Sequence, residues 1–252
     1  MDSPSGSEII ENCFRCKIST DKLFSELPPR ALDAYNAIKS THAFPKGTLL
    51  FVEGQAPHGV YVLCGGHAKL SMVSAEERTR ILRIAEPGDV LGLSATISGH
   101  PYEVTAETVD PCQADFVKRE DFLRFLCQHG EVCLRVVQLL SCSLRGAYQQ
   151  LRWLRSSHSP AQKLAKVLIE WSDERGEDTP EGIRMRLGIT HEETAQLIGV
   201  SRETVTRLLG EFKKRKIISL KGSTLLIHNT AALESMVSPQ TPSGDEIRRR
   251  SG

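Results

Sequence analysis

Residues 190–212 read THEETAQLIGVSRETVTRLLGEF. Thr190 followed by Glu193 has the form of a capping box, in which each side chain accepts the other residue's amide, so a helix is expected to begin there. Ala195 and Ile198 are spaced to face inward. Gly199 falls where the helix must stop and the chain turn sharply, which a residue without Cβ allows. Ser201 can cap a second helix that Arg202 begins. At about 100° per residue, Val205, Leu208, Leu209 and Phe212 share one side of that helix, and Arg202, Glu203, Thr206 and Arg207 share the other. The apolar side must bury against the first helix. The polar side stays free, and Arg and Glu are the side chains that bond to the major-groove edges of G·C pairs. The stretch therefore reads as a helix-turn-helix whose second helix enters DNA. A solvated Glu203–Arg207 pair at i, i+4 would explain the charges alone, at about 0.2–0.5 kcal/mol. It would not explain the register of Ala195, Gly199 and Ser201.

The flanking residues agree. Lys213, Lys214, Arg215 and Lys216 end the helix with positive charge, which suits a helix C-terminus and phosphate oxygens alike. Ser201, Thr190, Lys213, Lys214 and Lys221 are the candidate phosphate contacts. Residues 217–220 and 224–227, joined by Lys221-Gly222-Ser223, read as a two-stranded wing. Upstream, Ile183, Met185 and Leu187 alternate with Arg184 and Arg186, as in a half-buried strand. The whole chain balances 32 Lys and Arg against 31 Asp and Glu, for a net charge of +1. The argument for DNA thus rests on where charge is placed and not on its total.

Residues 41–116 are short β-like runs (48–52, 59–64, 68–73, 80–84 and 103–108) broken by Pro45-Lys46-Gly47, Glu53-Gly54, Gly65-Gly66 and Pro87-Gly88-Asp89. Such spacing suggests a barrel or jelly roll. Residues 22–39 have a helical pattern through Leu27, Ala31, Ala34 and Ile38. No apolar run approaches a membrane span, and MDSPSGSEII lacks the basic and apolar regions of a signal peptide, so a cytoplasmic location is expected. Seven irregularly spaced cysteines fit a reducing compartment better than a disulfide framework.

Residues 131–154 contain no proline and one glycine. Cys133, Val137, Leu140, Leu144, Ala147, Leu151 and Leu154 recur in steps of four and three, a heptad stripe that favours a parallel partner helix over packing on the chain's own barrel. Ser156, Ser157 and His158 read as a hinge, with Ser159 capping and Pro160 starting the next helix.

A glycine-punctuated roll, a long helix and a winged helix-turn-helix carrying SRETVTR, in that order, resemble the catabolite activator/fumarate-nitrate regulator (CRP/FNR) superfamily of bacterial transcription factors. The turns FPKGTLLFVEG (44–54) and PGDVLGL (87–93) add to the likeness. The resemblance implies an α+β chain. Residues 1–21 form an N-terminal segment with a CxxC. Residues 22–130 form a cyclic-nucleotide-binding-like β-roll with flanking helices, and 131–155 a dimerisation helix. Residues 156–237 form the winged helix-turn-helix, and 238–252 a disordered tail. A two-fold dimer would place two recognition helices about one DNA turn apart on a palindrome. Relatives with Arg-Glu-x-x-x-Arg here read TGTGA-like half-sites, so Arg202 and Arg207 are expected on guanine and Glu203 on cytosine. The acidic stretch 172–182 lies where activating relatives touch RNA polymerase, and a solvated loop is the alternative.

The resemblance also frames the signal. Cyclic-nucleotide-binding relatives present Gly-Glu to the ribose and Arg-Ser or Arg-Thr to the cyclic phosphate. This chain has Gly92-Leu93 and Glu103-Val104, which remove the ribose carboxylate and set a negative charge near phosphate in a partly desolvated pocket. Binding of cAMP is not expected. Oxygen-sensing relatives hold an iron-sulfur cluster on four cysteines. Here Cys13, Cys16 and Cys112 match that set, while Ser25 stands where some relatives have cysteine. A cluster, a zinc or thiol-redox role, and inert cysteines all remain open. Cys64, Cys127, Cys133 and Cys142 read as packing residues, and His42, His58, His67 and His100 as solvated. An enzyme of the CxxC oxidoreductase type is the competing class, but Cys13 and Cys16 lack the βαβ context of a thioredoxin-like site. A regulator working through protein contacts alone is a third, and intact Arg202, Glu203 and Arg207 speak against it.

Overall fold

The computed structural model describes residues 27–74, 79–155 and 159–237. The chain divides after Arg155 into two compact units. Cys13, Cys16 and Ser25, the hinge at 156–158 and the tail at 238–252 lie outside the described residues.

The first unit runs α1 (Pro29–Ile38), β1 (Lys39–Phe44), β2 (Leu49–Phe51), β3 (Gly59–Gly65), β4 (Ala68–Val73), β5 (Thr79–Ala85), β6 (Val90–Leu91), α2 (Leu93–Ser98), β7 (Thr105–Thr108), β8 (Cys112–Lys118), α3 (Arg119–Gln128) and α4 (Gly130–Arg155). Its strands form two four-stranded sheets, β1-β8-β3-β6 and β2-β7-β4-β5, with every pairing antiparallel. Side chains of a strand alternate between faces, and β3 and β8 use both. Val60, Val62 and Val117 face Leu32 and Tyr35 of α1, Phe122 and Phe125 of α3, and Val132 and Val136 of α4. Tyr61, Leu63, Cys112 and Ala114 belong instead to the interior of the roll, with Phe51, Leu91, Tyr102 and Ala106. The long helix is thus anchored at its N-terminal end in the roll's own core.

One glycine turn shows why the punctuation is needed. Gly66 has φ +76°, and a Cβ there would lie 2.4 Å from the Pro111 carbonyl oxygen and 2.7 Å from Cys112 Sγ. Only glycine fits.

Asp115 points from β8 into the helix-side core. Its Oδ2 accepts from Lys39 Nζ at 2.7 Å and Tyr35 hydroxyl at 3.1 Å, and its Oδ1 from Thr41 hydroxyl at 2.5 Å. The carboxylate is fully buried, and the Lys39 side chain is 6% exposed. This network ties the α1–β1 corner to the centre of its sheet.

The second unit runs α5 (Pro160–Arg175), β9 (Glu177–Thr179), β10 (Gly182–Arg186), α6 (His191–Ile198), α7 (Arg202–Lys214), β11 (Ile218–Lys221), β12 (Thr224–Ile227) and α8 (Thr230–Val237). A four-stranded sheet, β11-β12-β10-β9, backs the helices. Leu164 and Leu168 of α5, Met185 of β10, Leu225 and Ile227 of β12, and Leu233 of α8 are buried, as is the apolar face of α7.

Several expectations are corrected. The acidic stretch 172–182 is not a loop, because α5 continues to Arg175 and β9 pairs with β10, where Glu177 faces Arg184 with an ion pair of 3.1 Å. The strand expected at 103–108 begins only at Thr105. The long helix lies in the same compact unit as the roll.

Replacing Asp115 by Ala removes the buried acceptor shared by Lys39, Tyr35 and Thr41, and is expected to lower stability by about 3–5 kcal/mol. Urea unfolding measures this. A loss within about 0.5 kcal/mol, as for an ordinary surface change, would show that the network does not hold the corner.

Candidate nucleic-acid interface

The local chemistry of α6 and α7 follows the residues one by one. Thr190 Oγ1 accepts the Glu193 amide at 3.1 Å, and Glu193 Oε2 accepts the Thr190 amide at 2.9 Å. Gly199 ends α6 in the left-handed conformation, φ 69° and ψ 43°, with its amide donating to the Ala195 carbonyl. Ser201 Oγ accepts the Thr204 amide at 3.3 Å and so caps α7. Val205, Leu208, Leu209 and Phe212 are buried, together with Ala195 and Ile198 of α6. Arg202, Glu203, Thr206 and Arg207 are exposed and line one open concavity on the opposite face.

Electrostatics prepare this face. The Glu203 carboxyl is held below the usual carboxylate range by its own backbone amide at the helix start, then by the Ser201 hydroxyl and the Arg202 charge. Arg207 Nη1 donates to Glu211 Oε1 at 2.5 Å, so its ion pair runs one turn onward and not back to Glu203. Both partners are well exposed, and such a pair contributes only a few tenths of a kcal/mol. It opposes a change of partner weakly.

Sequence reasoning missed His191, the first residue of α6. Its Nδ1 lies 3.0 Å from Thr206 Oγ1, and Thr206 Oγ1 donates to the Arg202 carbonyl at 3.0 Å. Spacing within one helix gives no hint of this contact, because it joins two helices across the turn.

The candidate phosphate contacts are all exposed. Thr190 and Ser201 stand at the two helix starts, Lys213 and Lys214 in the last turn of α7, and Lys221 at the tip of the wing. Both hydroxyls already act as caps.

On α4, Cys133, Val137, Leu144 and Ala147 are exposed, but Leu140 is half-buried and packs on the roll's own core. The free apolar stripe runs instead through Leu134 (60% exposed), Val137 (52%), Leu144 (54%) and Tyr148 (59%). The side chains of Leu151 and Leu154 are outside the described residues.

In the roll, Gly92 takes φ 74°, and a Cβ there would meet Tyr102 Cε1 at 2.7 Å. Leu93 is buried in the helix-side core. Tyr102 stacks on Phe51 with centroids 4.1 Å apart, and its hydroxyl donates to the Gly59 carbonyl at 2.8 Å. Val104 packs against the roll interior. Glu103 is exposed and accepts from Ser94 Oγ at 2.7 Å. The expected desolvation of Glu103 is therefore corrected, since water screens its charge.

The cysteines also depart from expectation. Cys64 and Cys112 are buried, but Cys127, Cys133 and Cys142 are exposed. Cys112 Sγ donates to the carbonyls of His67 at 3.1 Å and Asp110 at 3.3 Å. Burial, then the Asp110 carboxylate, push its thiol up to about 12. Cys112 is thus a buried thiol enclosed among backbone carbonyls. His67 is not simply solvated, because its Nδ1 pairs with Asp110 Oδ2 at 2.7 Å.

The second unit is a winged helix-turn-helix of the kind that binds DNA in transcription regulators, and the first is a β-roll with an emergent long helix. Residues 162–236 match the Crp-like helix-turn-helix domain family, and residues 41–129 match the cyclic nucleotide-binding domain family. The CRP-like cAMP-activated global transcriptional regulator of Mycobacterium tuberculosis is 27% identical, over 84% of this chain and 94% of its own length. The fumarate and nitrate reduction regulatory protein of Yersinia pestis is 26% identical, over 92% of each. The structure of FixK2 from Bradyrhizobium japonicum has the same fold, with a TM-score of 0.71 at 20% identity, covering 79% of this chain and 97% of that one. The chain belongs to the CRP/FNR superfamily and is a transcription regulator with a helix-turn-helix DNA-binding domain. Among the described residues, no helix is long and apolar enough to cross a membrane.

With its thiol raised to about 12, Cys112 carries orders of magnitude less thiolate at neutral pH than a free cysteine. Iodoacetamide is expected to alkylate Cys127 and Cys142 in the native protein, and Cys112 only after unfolding. Equal labelling of Cys112 in the native state would refute its assignment as an enclosed thiol.

Proposed function

We propose that this regulator acts as a homodimer and reads a palindrome with TGTGA-like half-sites under a signal other than cAMP. The observation that carries the reading is the joint exposure of Arg202, Glu203, Thr206 and Arg207 on the one face of α7 that packing leaves free. Arg202 and Arg207 donate to guanine O6 and N7, and the ionised Glu203 accepts from a cytosine amino group. Each contact discriminates by about 1–3 kcal/mol. Lys213, Lys214 and Lys221 hold phosphates and fix the docking without reading sequence.

The dimer reading is supported by the stripe on α4. Leu134, Val137, Leu144 and Tyr148 keep steps of three, seven and four, fitting one heptad seam with Ser141 in the gap. Large apolar side chains over half exposed in a row mark a surface that a partner covers. A two-fold pairing would set recognition helices about 34–36 Å apart, one turn of DNA.

The signal reading rests on Leu93 and Glu103. Leu93 is in the core and has no carboxylate for a ribose hydroxyl. Glu103 offers a carboxylate where the resemblance places a phosphate-binding cation, and the Ser94 hydroxyl that donates to it does not neutralise it. The name of the Mycobacterium tuberculosis relative records activation by cAMP for that protein, and these two residues argue against transferring it. On the promoter, exposed Glu177, Asp178 and Glu181 are the surface offered to RNA polymerase.

Selection of bound sequences from random duplexes tests the reading in one experiment. The parent is expected to enrich palindromes, with enrichment unchanged by added cAMP. Glu203→Ala should lose preference at one C·G pair by about tenfold or more, and Leu144→Asp should enrich half-sites only. A Glu203→Ala profile identical to the parent's removes Glu203 from base readout. Palindrome enrichment by Leu144→Asp removes the seam, and a cAMP-dependent profile removes the signal reading. Neutralising Glu177, Asp178 and Glu181 is expected to lower transcription in vitro with DNA binding intact. Unchanged transcription would exonerate them.

A further inference from the structure

The Thr206 hydroxyl has one proton, and that proton goes to the Arg202 carbonyl one turn back at 3.0 Å. The second partner of Oγ1, His191 Nδ1 at 3.0 Å, donates to it when the imidazole carries its proton on Nδ1. Two helices therefore share the hydroxyl. One bond comes from the backbone of α7 and the other from the first residue of α6. A threonine held by both loses the rotameric choice that a free one keeps at χ1. The hydroxyl has no proton left to give, and the unshared end of the exposed side chain is its methyl group. Thr206 lines the same concavity as Arg202, Glu203 and Arg207.

We propose that His191 is a positioning residue that locks Thr206 so that a methyl group, and not a hydroxyl, faces the DNA groove, and that Thr206 thereby selects a thymine through its 5-methyl. The chemistry is that of an apolar contact with the only methyl a base pair displays in the major groove. The inference rests on the base-reading face proposed above and adds to it a thymine preference beside the G·C contacts. It also assigns a specificity role to a residue of the first helix that touches no base.

The test uses the full-length protein and the duplex recovered by selection, with each thymine replaced in turn by deoxyuridine, which lacks only the methyl. One position is expected to weaken binding by about three- to tenfold, the scale of one buried methyl. Thr206→Val, which keeps a methyl and removes the hydroxyl, should retain that thymine-over-uracil ratio. Thr206→Ser, which keeps the hydroxyl, should abolish it. His191→Ala should reduce the ratio while leaving the preference for G·C pairs, and His191→Asn, which restores a side-chain donor, should recover it. A parent insensitive to uracil at every position, with its G·C preferences intact, overturns this inference and spares the base-reading face. So does a ratio that survives in Thr206→Ser and vanishes in Thr206→Val. A parent that selects no sequence at all overturns both.

Discussion

Burial of one face of α7 is the constraint on which the rest depends. Val205, Leu208, Leu209 and Phe212 are nearly inaccessible. At about 1.5–3 kcal/mol for each large apolar side chain removed from water, their combined burial is of order 6–12 kcal/mol, an upper estimate because unfolded chains are partly compact. No other rotation of the helix recovers it. Turning α7 by one residue would expose part of this set and bury a guanidinium. The reading face is thus fixed by hydrophobic packing on its far side, and the caps at Ser201 and Gly199 fix where the helix starts relative to α6.

The roll applies the same economy with a period of two. Alternate residues of β3 and β8 serve two cores, so a single strand joins the roll interior to the helices outside it. The exception is Asp115, a charge at a core position, which accepts from Lys39, Tyr35 and Thr41. A buried carboxylate with such partners adds little net stability, but it penalises any other arrangement of the groups around it. α4 then leaves this core with two functions on two faces, Val132 and Val136 inward and Val137 and Leu144 outward.

What could be read in the sequence was local. Capping boxes, the αL glycine and the 3.6-residue period of α7 are written within a dozen residues, and the structure has each of them. The wing and five strands of the roll, β2 to β5 and β7, carry the same kind of signal, within a residue or two at their ends, while β1, β6 and β8 do not. What could not be read depends on partners far along the chain. α2 spans six residues, LSATIS, entered from a left-handed Gly92 without a side-chain cap, too short for a period to register. β9 is acidic and becomes a strand because β10 lies beside it. The exposure of Cys127, Cys133 and Cys142 depends on which way two helices turn, and the enclosure of Cys112 on a hairpin 45 residues away. In the site itself, residue types and spacing gave Arg202, Glu203, Thr206 and Arg207, but the bond from His191 to Thr206 spans 15 residues and two helices.

Placement of Glu203 at the start of α7 has a consequence under acid stress. A carboxyl that gains a proton changes from pure acceptor to donor and would address a different base edge. The amide, hydroxyl and guanidinium around Glu203 favour its anionic form, so protonation waits for a lower pH than an ordinary glutamate would need. The polarity of its hydrogen bonding is therefore preserved when the surroundings acidify, and the vocabulary of this side chain stays the same across conditions in which histidines change theirs.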